Sequence, residues 1–498
     1  MKPTLTGLPS ELIEIIFHEL PFADSVRFSQ TSRFIHDVFK HSARLQYPLE
    51  LAFAGMEDVS INKTNPREKL RMLRRYEDTW SRVSLGAAQH LCVNIGDSFD
   101  VCENVFMTTH DPHSIEFHLA PGPFRGVSPH KWSLRFDFEI VDYYADPTQD
   151  LLVLLELKHQ SDVVQLHAVS LLTGKLHPLA AKSELFLHVV FLDTDERNYR
   201  IRICGCHVAA YVDEYLDGED IIHHIHFGVW NWQTGQSRMF VAEPRIRSFA
   251  FLDEYHIAVT HGDLTRVGIM IKNLAEPDSQ RPTFLAYPDM SPSHSTPFLM
   301  IECRPHHNVV DSSSVAKPMF RSRSEDGIAV LSLTVFEPDD TILPVNFVVR
   351  AKDLLAIPYR QETWTWEEWG PQITRWLDGL DRMQDVYPPC GSKYAFLSND
   401  DQIVVYDFNP ASINKTLSLG NEDKVETILE ARVHELPVFV CPVSTSLPCR
   451  RYTVTIPIWK VEKMEEVMLM DDGIAVTDLV EDAEGEPVGS RMHIFTLQ

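Results

Sequence analysis

The sequence contains few groups of residues whose types and spacing suit catalysis or metal binding. His223, His224 and His226 form the densest histidine cluster, and residues two apart on a strand point to the same face. Without a carboxylate or cysteine at a supporting spacing, this pattern favours ordinary strand residues over a metal site. Cys204 and Cys206 also lie two apart among alternating apolar residues, which is typical of a strand rather than of a zinc ligand pair.

Familiar catalytic motifs are incomplete. Thr173-Gly174-Lys175 lacks the upstream glycine and the following hydroxyl residue of a phosphate-binding loop. His434-Glu435 begins like a zinc-protease helix, but Val438 occupies the position of the second histidine. A nucleophile elbow and a dinucleotide-binding glycine pattern are both missing from the sequence. We therefore predict a protein that is not an enzyme, with no catalytic residue, no metal and no cofactor.

Arginines are the remaining candidates for ligand chemistry, because a guanidinium binds phosphate through two parallel hydrogen bonds. They are Arg200, Arg202, Arg245, Arg247, Arg304, Arg321 and Arg323. Arginines two apart on a strand ordinarily form a solvated face, which is the interpretation that we favour. The residues that would bind a substrate are therefore unknown from the sequence.

Length and composition indicate a large globular protein with an acidic body. The 498 residues are 44% hydrophobic and 23% charged, and the formal net charge is −26. No apolar run approaches the ~20 residues that span a bilayer, and the N-terminus has no secretory pattern. Eight cysteines are too few for a disulfide framework. We expect an intracellular protein, in the cytoplasm or nucleus, that binds neither membrane nor nucleic acid, because its negative field repels polyanions.

Three short amphipathic helices are predicted between Leu5 and Tyr47. Pro9 suits the first turn of a helix, and Pro21 ends that helix. The apolar residues between the two prolines fall on one helical face, and they are Leu12, Ile13, Ile16, Phe17 and Leu20. A unit of about 40 residues is near the lower size limit for an independent core, so part of this face needs a partner.

The order and spacing of these residues resemble the F-box, a three-helix motif that joins substrate receptors to the Skp-family adaptor of cullin-based ubiquitin ligases. The match rests on Leu8-Pro9, Leu12, Ile16-Phe17, Leu20-Pro21, Val26 and the segment 31–34. The resemblance implies an adaptor-binding surface made of Leu8, Pro9, Leu12, Ile16, Phe17, Leu20, Val26, Phe28, Phe34, Ile35 and Val38. An amphipathic helical cap on a larger domain is the alternative interpretation.

The rest of the chain predicts a mainly β body. Short runs of alternating apolar and polar residues are separated by turns, as in antiparallel strands. A weak repeat joins such a strand to a Thr-Gly turn at 164–174 and again at 227–235. At ~40 to 50 residues per blade, this length favours a β-propeller of six to eight blades, and we favour seven. We expect the strand at 91–95 and the run 492–497 to share one blade, with a pair of β-sandwiches as the alternative.

The predicted fold is therefore mainly β with an N-terminal α module. The F-box covers residues 1–50, a helical linker covers 51–84, and a propeller-like substrate-binding domain covers 85–498. A tryptophan-rich insert interrupts the β pattern near 354–380 and contains Trp364, Trp366, Trp369 and Trp376. These side chains could form an aromatic binding surface, but anchoring of the insert to the body is the interpretation that we favour.

The resemblance implies a function that needs no catalytic residue. The chain would be the substrate-recognition subunit of an SCF-type ubiquitin ligase, bound to the Skp-family adaptor and through it to cullin. Its β body would bind a target protein of unknown identity. A scaffold or regulatory role outside the ligase is the alternative. A propeller enzyme would need a cluster of acidic or metal-binding residues on the central channel, which the sequence does not indicate.

Overall fold

The described part of the chain contains an N-terminal helical module and a ring of β-sheets. The computed structural model describes residues 5–59, 61–81, 89–158, 163–180, 184–189, 197–215, 222–241, 245–262, 267–276, 282–292, 295–305, 314–336, 342–358, 363–379, 385–419, 425–454, 456, 463–481 and 487–497. Within these residues, no helix is both long and apolar enough to cross a membrane.

The helical module begins with a 3₁₀ turn and four α-helices. The turn spans Leu5–Gly7, and the helices are α1 (Ser10–Glu19), α2 (Phe22–Ser29), α3 (Arg33–His41) and α4 (Ala43–Ala54). Pro9 and Pro21 immediately precede α1 and α2. Ser32 accepts a hydrogen bond from the Ile35 amide at the start of α3, as an N-cap residue should. Gly55 ends α4 in the left-handed region, with φ of 66°.

A strand and a long helix connect this module to the sheets. They are β1 (Met56–Asp58) and α5 (Pro66–Ser81), followed by β2 (Gln89–Asn94). The Asn65 side chain accepts a hydrogen bond from the Glu68 amide over 3.0 Å and so caps α5. Apolar residues three or four apart on α5 are buried, and they are Leu70, Leu73, Tyr76 and Trp80. The amphipathic pattern of this helix is thus satisfied by packing on the β body.

Seven antiparallel sheets follow, and we number them as blades in chain order. Blade 1 contains β3 (Ser98–Cys102), β4 (Val105–Asp111), β5 (Ser114–Leu119) and β6 (His130–Arg135). Blade 2 contains β7 (Asp142–Asp146), β8 (Leu151–Lys158), β9 (Val163–Ser170) and β10 (Glu184–His188). Blade 3 contains β11 (Arg197–Cys204), β12 (His207–Tyr215), β13 (Ile222–Asn231) and β14 (Gln236–Val241).

Blades 4 and 5 each include a strand from the tryptophan-rich insert. Blade 4 contains β15 (Ile246–Phe251), β16 (His256–Gly262), β17 (Val267–Asn273) and β18 (Thr283–Ala286). The next segments are β19 (Ser295–Cys303), β20 (Phe320–Ser322), a 3₁₀ turn (Ser324–Asp326), β21 (Ile328–Phe336), β22 (Ile342–Arg350), α6 (Ala351–Leu355), β23 (Thr363–Trp364), α7 (Trp366–Ile373) and β24 (Thr374–Trp376). Strands β19, β21, β22 and β24 form blade 5, whereas β23 adds to blade 4 and β20 pairs with β1.

The last two blades complete the ring. The segments are β25 (Lys393–Leu397), β26 (Ile403–Asp407), α8 (Pro410–Leu419), β27 (Val425–Ile428), β28 (Arg432–His434), β29 (Val443–Thr445), β30 (Cys449–Val454), β31 (Met464–Met470), β32 (Gly473–Glu481) and β33 (Pro487–Thr496). Blade 6 has the order β25-β26-β30-β27, and β28 pairs with β29 in a separate ribbon.

Blade 7 joins the two ends of the propeller. Its order is β2-β33-β32-β31, so that β2 from the start of the ring pairs with the last strand, with Leu91 opposite Ile494. The seven-bladed propeller with an N-terminal α module is therefore confirmed, as is the expected blade that contains both 91–95 and 492–497. Because strands from both ends of the propeller pair within one blade, the ring is closed by backbone hydrogen bonds.

The tryptophan-rich insert is anchored in the propeller. Trp366, Trp369 and Trp376 are buried, and the Trp369 indole donates a hydrogen bond to the Ala286 carbonyl over 2.8 Å. Phe347 of β22 packs against Trp366, with ring centroids 4.9 Å apart. The anchoring interpretation is confirmed for these three side chains, and the exposed aromatic surface is not formed by them.

Candidate functional site

The helical module has a small core of its own. Ile13, Phe17 and Ile35 are buried in it together with Leu45 of α4. The Phe17 ring lies 4.8 Å from that of Phe28. Phe17 and Ile35 were predicted to contact the adaptor, but they are only 4% and 0% exposed. They lie in the core of the module, where they pack against the helices that form its surface.

Large apolar side chains nevertheless remain in solvent on the outer side of this core. Leu12 is 45% exposed and Ile15 is 55% exposed, and because they are three residues apart they lie on one side of α1. We call these two residues the exposed α1 face. Phe34 at the start of α3 is 39% exposed. Exposed apolar groups of this size, repeated within one small module, are typical of interaction surfaces.

The remaining predicted contact residues lie between these extremes. Pro9 is exposed, and the half-buried members are Leu8, Ile16, Leu20, Val26, Phe28 and Val38. Sequence reasoning missed Ile15, which lies outside the predicted stripe. The signal that could have found it is its spacing from Leu12, on the side of the helix opposite to the buried Ile13 and Phe17.

Helix α4 contributes to two cores at once. Leu45 packs inside the helical module, whereas Leu51 and Ala54 are buried in the cluster that joins blades 6 and 7. The predicted domain boundary at residue 50 therefore falls within a continuous helix. Since both cores use the same helix, the module is held in one orientation relative to the propeller.

A strand pair and two ion pairs reinforce this attachment. Strand β1 pairs with β20, with Glu57 opposite Arg321. The Arg321 side chain donates to Glu57 over 2.6 Å. The Asp58 carboxylate accepts hydrogen bonds from Lys69 Nζ over 2.7 Å and from the Tyr47 hydroxyl over 2.8 Å. We call α4, β1, α5 and β20 the junction.

A buried charge network holds the junction against the closing blade. Arg125, in the connection between β5 and β6, donates from Nε to Asp472 over 2.8 Å and from Nη2 to Asp471 over 2.9 Å. Its Nη1 atom donates to the Phe320 carbonyl of β20 over 3.2 Å. The Tyr76 hydroxyl of α5 donates to the Asp471 carbonyl over 2.7 Å. Blades 1 and 7 and the junction thus share one network, in which the Arg125 guanidinium pairs with two buried carboxylates.

The arginines of the propeller are mostly engaged inside the protein. Arg200 and Arg202 of β11 both pair with the buried Glu302 of β19, at 3.3 Å and 2.9 Å. Arg304 is 8% exposed and donates to the Val101 carbonyl. The prediction of a solvated face is therefore wrong for these three residues, whose partners lie in distant blades. Their guanidinium groups contact internal partners in other blades and are not displayed as a phosphate-binding surface.

The same region contains a carboxyl with an altered pKa. Burial raises the pKa of Asp142 to about 7, although the Tyr143 amide and Arg202 oppose the rise. The first strands of blades 1 and 2 bring Asp100 near it, and that like charge adds to the increase. Within the described residues, no group of three or more histidines, cysteines and carboxylates is arranged to hold a metal.

Of the histidine cluster found in the sequence, the structure describes one side chain. The side chains of His223 and His224 lie outside the described residues, whereas His226 on β13 is 6% exposed. Cys204 is buried and Cys206 is half-buried on either side of a tight turn at Gly205. Burial raises the pKa of Cys206 to about 11, so its thiol is held in the neutral form.

Comparison with known proteins identifies the helical module. Residues 5–47 match the F-box domain family. The chain therefore carries an F-box domain, which is followed by the seven-bladed β-propeller. None of the curated proteins compared with the chain matches it in sequence.

Solved structures show only distant similarity. The chain is similar to the polysaccharide lyase Uly1, at 8% identity and a TM-score of 0.34, over 81% of this chain and 90% of that chain. It is also similar to an oligogalacturonate lyase in complex with manganese, at 11% identity and a TM-score of 0.33, over 82% of this chain and 98% of that chain. Similarity at these scores carries no argument about function.

Proposed function

We propose that the chain is the substrate-recognition subunit of a cullin-based ubiquitin ligase. The F-box binds a Skp-family adaptor, the adaptor connects it to cullin, and the propeller binds a target protein inside the cell. The chain itself supplies no catalytic group, because ubiquitin transfer is carried out by an enzyme that the ligase recruits. Its contribution is to hold the target close to that enzyme.

The observation that carries this proposal is the exposed α1 face. Leu12 and Ile15 lie in solvent although an F-box core is available directly beneath them. Covering such side chains lowers the free energy of the complex, so a partner that buries them binds more tightly. The family match supports an adaptor as that partner, because F-box domains generally bind adaptors of the Skp type.

The attachment of the F-box supports a receptor in which the adaptor-binding surface and the target-binding surface keep one relative orientation. The junction contacts the turn between β31 and β32 through Asp471, and the connection after β20 through Asp326, which lies beside Gly55. Arg125 donates both to Asp472 of that turn and to the Phe320 carbonyl of β20, so we infer that these contacts lie on one side of the propeller. The opposite side of the ring is free of the F-box and is where we propose that the target binds.

Binding of the purified chain to the adaptor tests the proposal. About half of each side chain in the exposed α1 face remains to be covered, so Leu12→Ala with Ile15→Ala should cost roughly 2 kcal/mol of binding free energy. That loss corresponds to roughly 30-fold weaker affinity in biolayer interferometry. Circular dichroism of the variant should match that of the wild type.

A matched control separates the F-box from general surface hydrophobicity. Leu172 and Leu176 near the end of blade 2 are 38% and 53% exposed, so Leu172→Ala with Leu176→Ala removes comparable apolar surface. The control variant should bind the adaptor with wild-type affinity. Absence of binding by the wild-type chain would overturn the ligase role and favour a scaffold or regulatory role outside the ligase.

A further inference from the structure

A groove lies where the F-box meets the propeller. It has a volume of ≈450 Å³ and lies between α1, α4, α5 and the segment that follows β20. Tyr47 and Met56 contribute apolar surface to its floor. Basic side chains line its walls, and they are His18, Arg44, Lys69 and Arg323. The groove thus combines an apolar base with a cationic rim.

The acidic residues in the groove are already neutralised. Asp58 pairs with Lys69 at 2.7 Å, and Glu57 pairs with Arg321 at 2.6 Å. Both carboxylates therefore have cationic partners that belong to the junction itself. They do not compensate the charge of any other side chain on the rim.

Two arginines retain uncompensated charge. Among the described residues, neither Arg44 nor Arg323 has a carboxylate within ion-pair distance. Arg44 is exposed and Arg323 is half-buried. In a chain of net charge −26, these guanidinium groups make the groove a local cationic site. Its electrostatic complement is an anionic ligand.

The position of the groove indicates where such a ligand comes from. His18 lies three residues after Ile15 on α1, so it is on the same side of that helix. The groove consequently begins where the exposed α1 face ends. A partner that covers Leu12 and Ile15 therefore lies next to the part of the groove that His18 lines.

We propose that this groove binds an acidic peptide segment of the adaptor, with an apolar residue seated on Tyr47 and Met56. Carboxylates on either side of that residue pair with Arg44 and Arg323. The inference rests on the proposed adaptor binding and extends it beyond the F-box. The exposed α1 face supplies apolar binding energy, and the groove supplies a salt-sensitive contribution that fixes the direction of the partner.

Charge reversal tests the inference against the adaptor itself. Arg44→Glu with Arg323→Glu should weaken binding about tenfold at about 50 mM salt. The difference should shrink to about twofold at about 500 mM salt, because ions screen exposed charges. Arg238→Glu with Lys175→Glu is the matched control, since both residues are exposed on blades 2 and 3 and the change in net charge is the same. The control should bind like the wild type.

A neutral variant distinguishes loss of the cations from repulsion or misfolding caused by the added carboxylates. Arg44→Gln with Arg323→Gln removes the same cations without introducing repulsion, and it should weaken binding about threefold at low salt. The inference is overturned if both groove variants bind the adaptor with wild-type affinity and salt dependence. Loss of binding that is equal at all salt concentrations would also overturn it, since a local charge contact must be screened. Failure of the wild-type chain to bind the adaptor would instead overturn the proposed function.

Discussion

Replacement of Arg125 by methionine should destabilise the whole propeller. The guanidinium contacts Asp472 through Nε and Asp471 through Nη2, and all three side chains are buried. Removing one partner leaves buried charges without compensation, which costs about 3 to 5 kcal/mol. We therefore expect the free energy of unfolding of Arg125→Met to fall by about this amount at pH 8.

The loss should depend on pH in a defined direction. Burial already raises the pKa of Asp472, and Arg125 opposes that rise. In Arg125→Met the pKa rises further, so the native state holds a proton that the unfolded state releases. Stability of the variant then increases as pH falls from 8 to 5, because the unpaired carboxyl becomes neutral.

Denaturant unfolding at both pH values provides the measurement. The difference between wild type and Arg125→Met should be larger at pH 8 than at pH 5. Arg135→Met, whose side chain is largely exposed and pairs loosely with Asp111 at 3.4 Å, is the control and should change little. Equal losses for Arg125→Met at both pH values would refute the role of the buried carboxylates, and a loss below about 1 kcal/mol would refute the network as a whole.

Three further predictions follow from the same structure. Burial raises the pKa of Asp142 from 3.8 to about 7, so the free energy of unfolding should decrease as pH rises through this window. Asp142→Asn should abolish that dependence in unfolding experiments, whereas Asp137→Asn should not. Ending the chain after Gly489 removes most of β33 between β2 and β32, and calorimetry should show loss of the whole folding transition; a merely local effect would contradict ring closure. Phe17→Ala should destabilise the F-box by about 3 to 5 kcal/mol and weaken adaptor binding through unfolding of the module, which its circular dichroism would reveal.

The helices and the ring could be predicted because their signals are local. Pro9 marks the start of the first helix and Pro21 its end, and alternating strands with turn residues repeat along the body. Closure through β2 was predictable because both ends of the body carry alternating strands and a propeller needs them paired. These features depend on neighbouring residues and on one general property of the fold.

It was harder to predict which apolar side chains of α1 are buried and which are exposed. On α1 apolar residues lie on two sides of the helix, and periodicity cannot decide which side is buried. The structure buries Ile13 and Phe17 and leaves Leu12 and Ile15 outside. The choice depends on α3 and α4, which supply Ile35 and Leu45 to one side only.

Contacts between residues far apart in the sequence explain the other differences between the predicted and the observed structure. Arg200 and Arg202 are paired with Glu302, which lies about 100 residues later in the sequence, so no local pattern shows that they are internal. The predicted boundary at residue 50 lies inside α4, which contributes to the cores of both the module and the propeller. That helix continues through Pro48 to Ala54, and Leu51 and Ala54 pack on the propeller.

Assembly of the chain with purified adaptor and cullin tests the central claim most directly. Size-exclusion chromatography with mass determination should show one complex that contains one copy of each protein. Leu12→Asp with Ile15→Asp should abolish that complex, because a charge on each residue of the exposed α1 face cannot be buried without a partner. Elution of the wild-type chain at its own monomer mass, with the adaptor and cullin associated only with each other, would contradict the account.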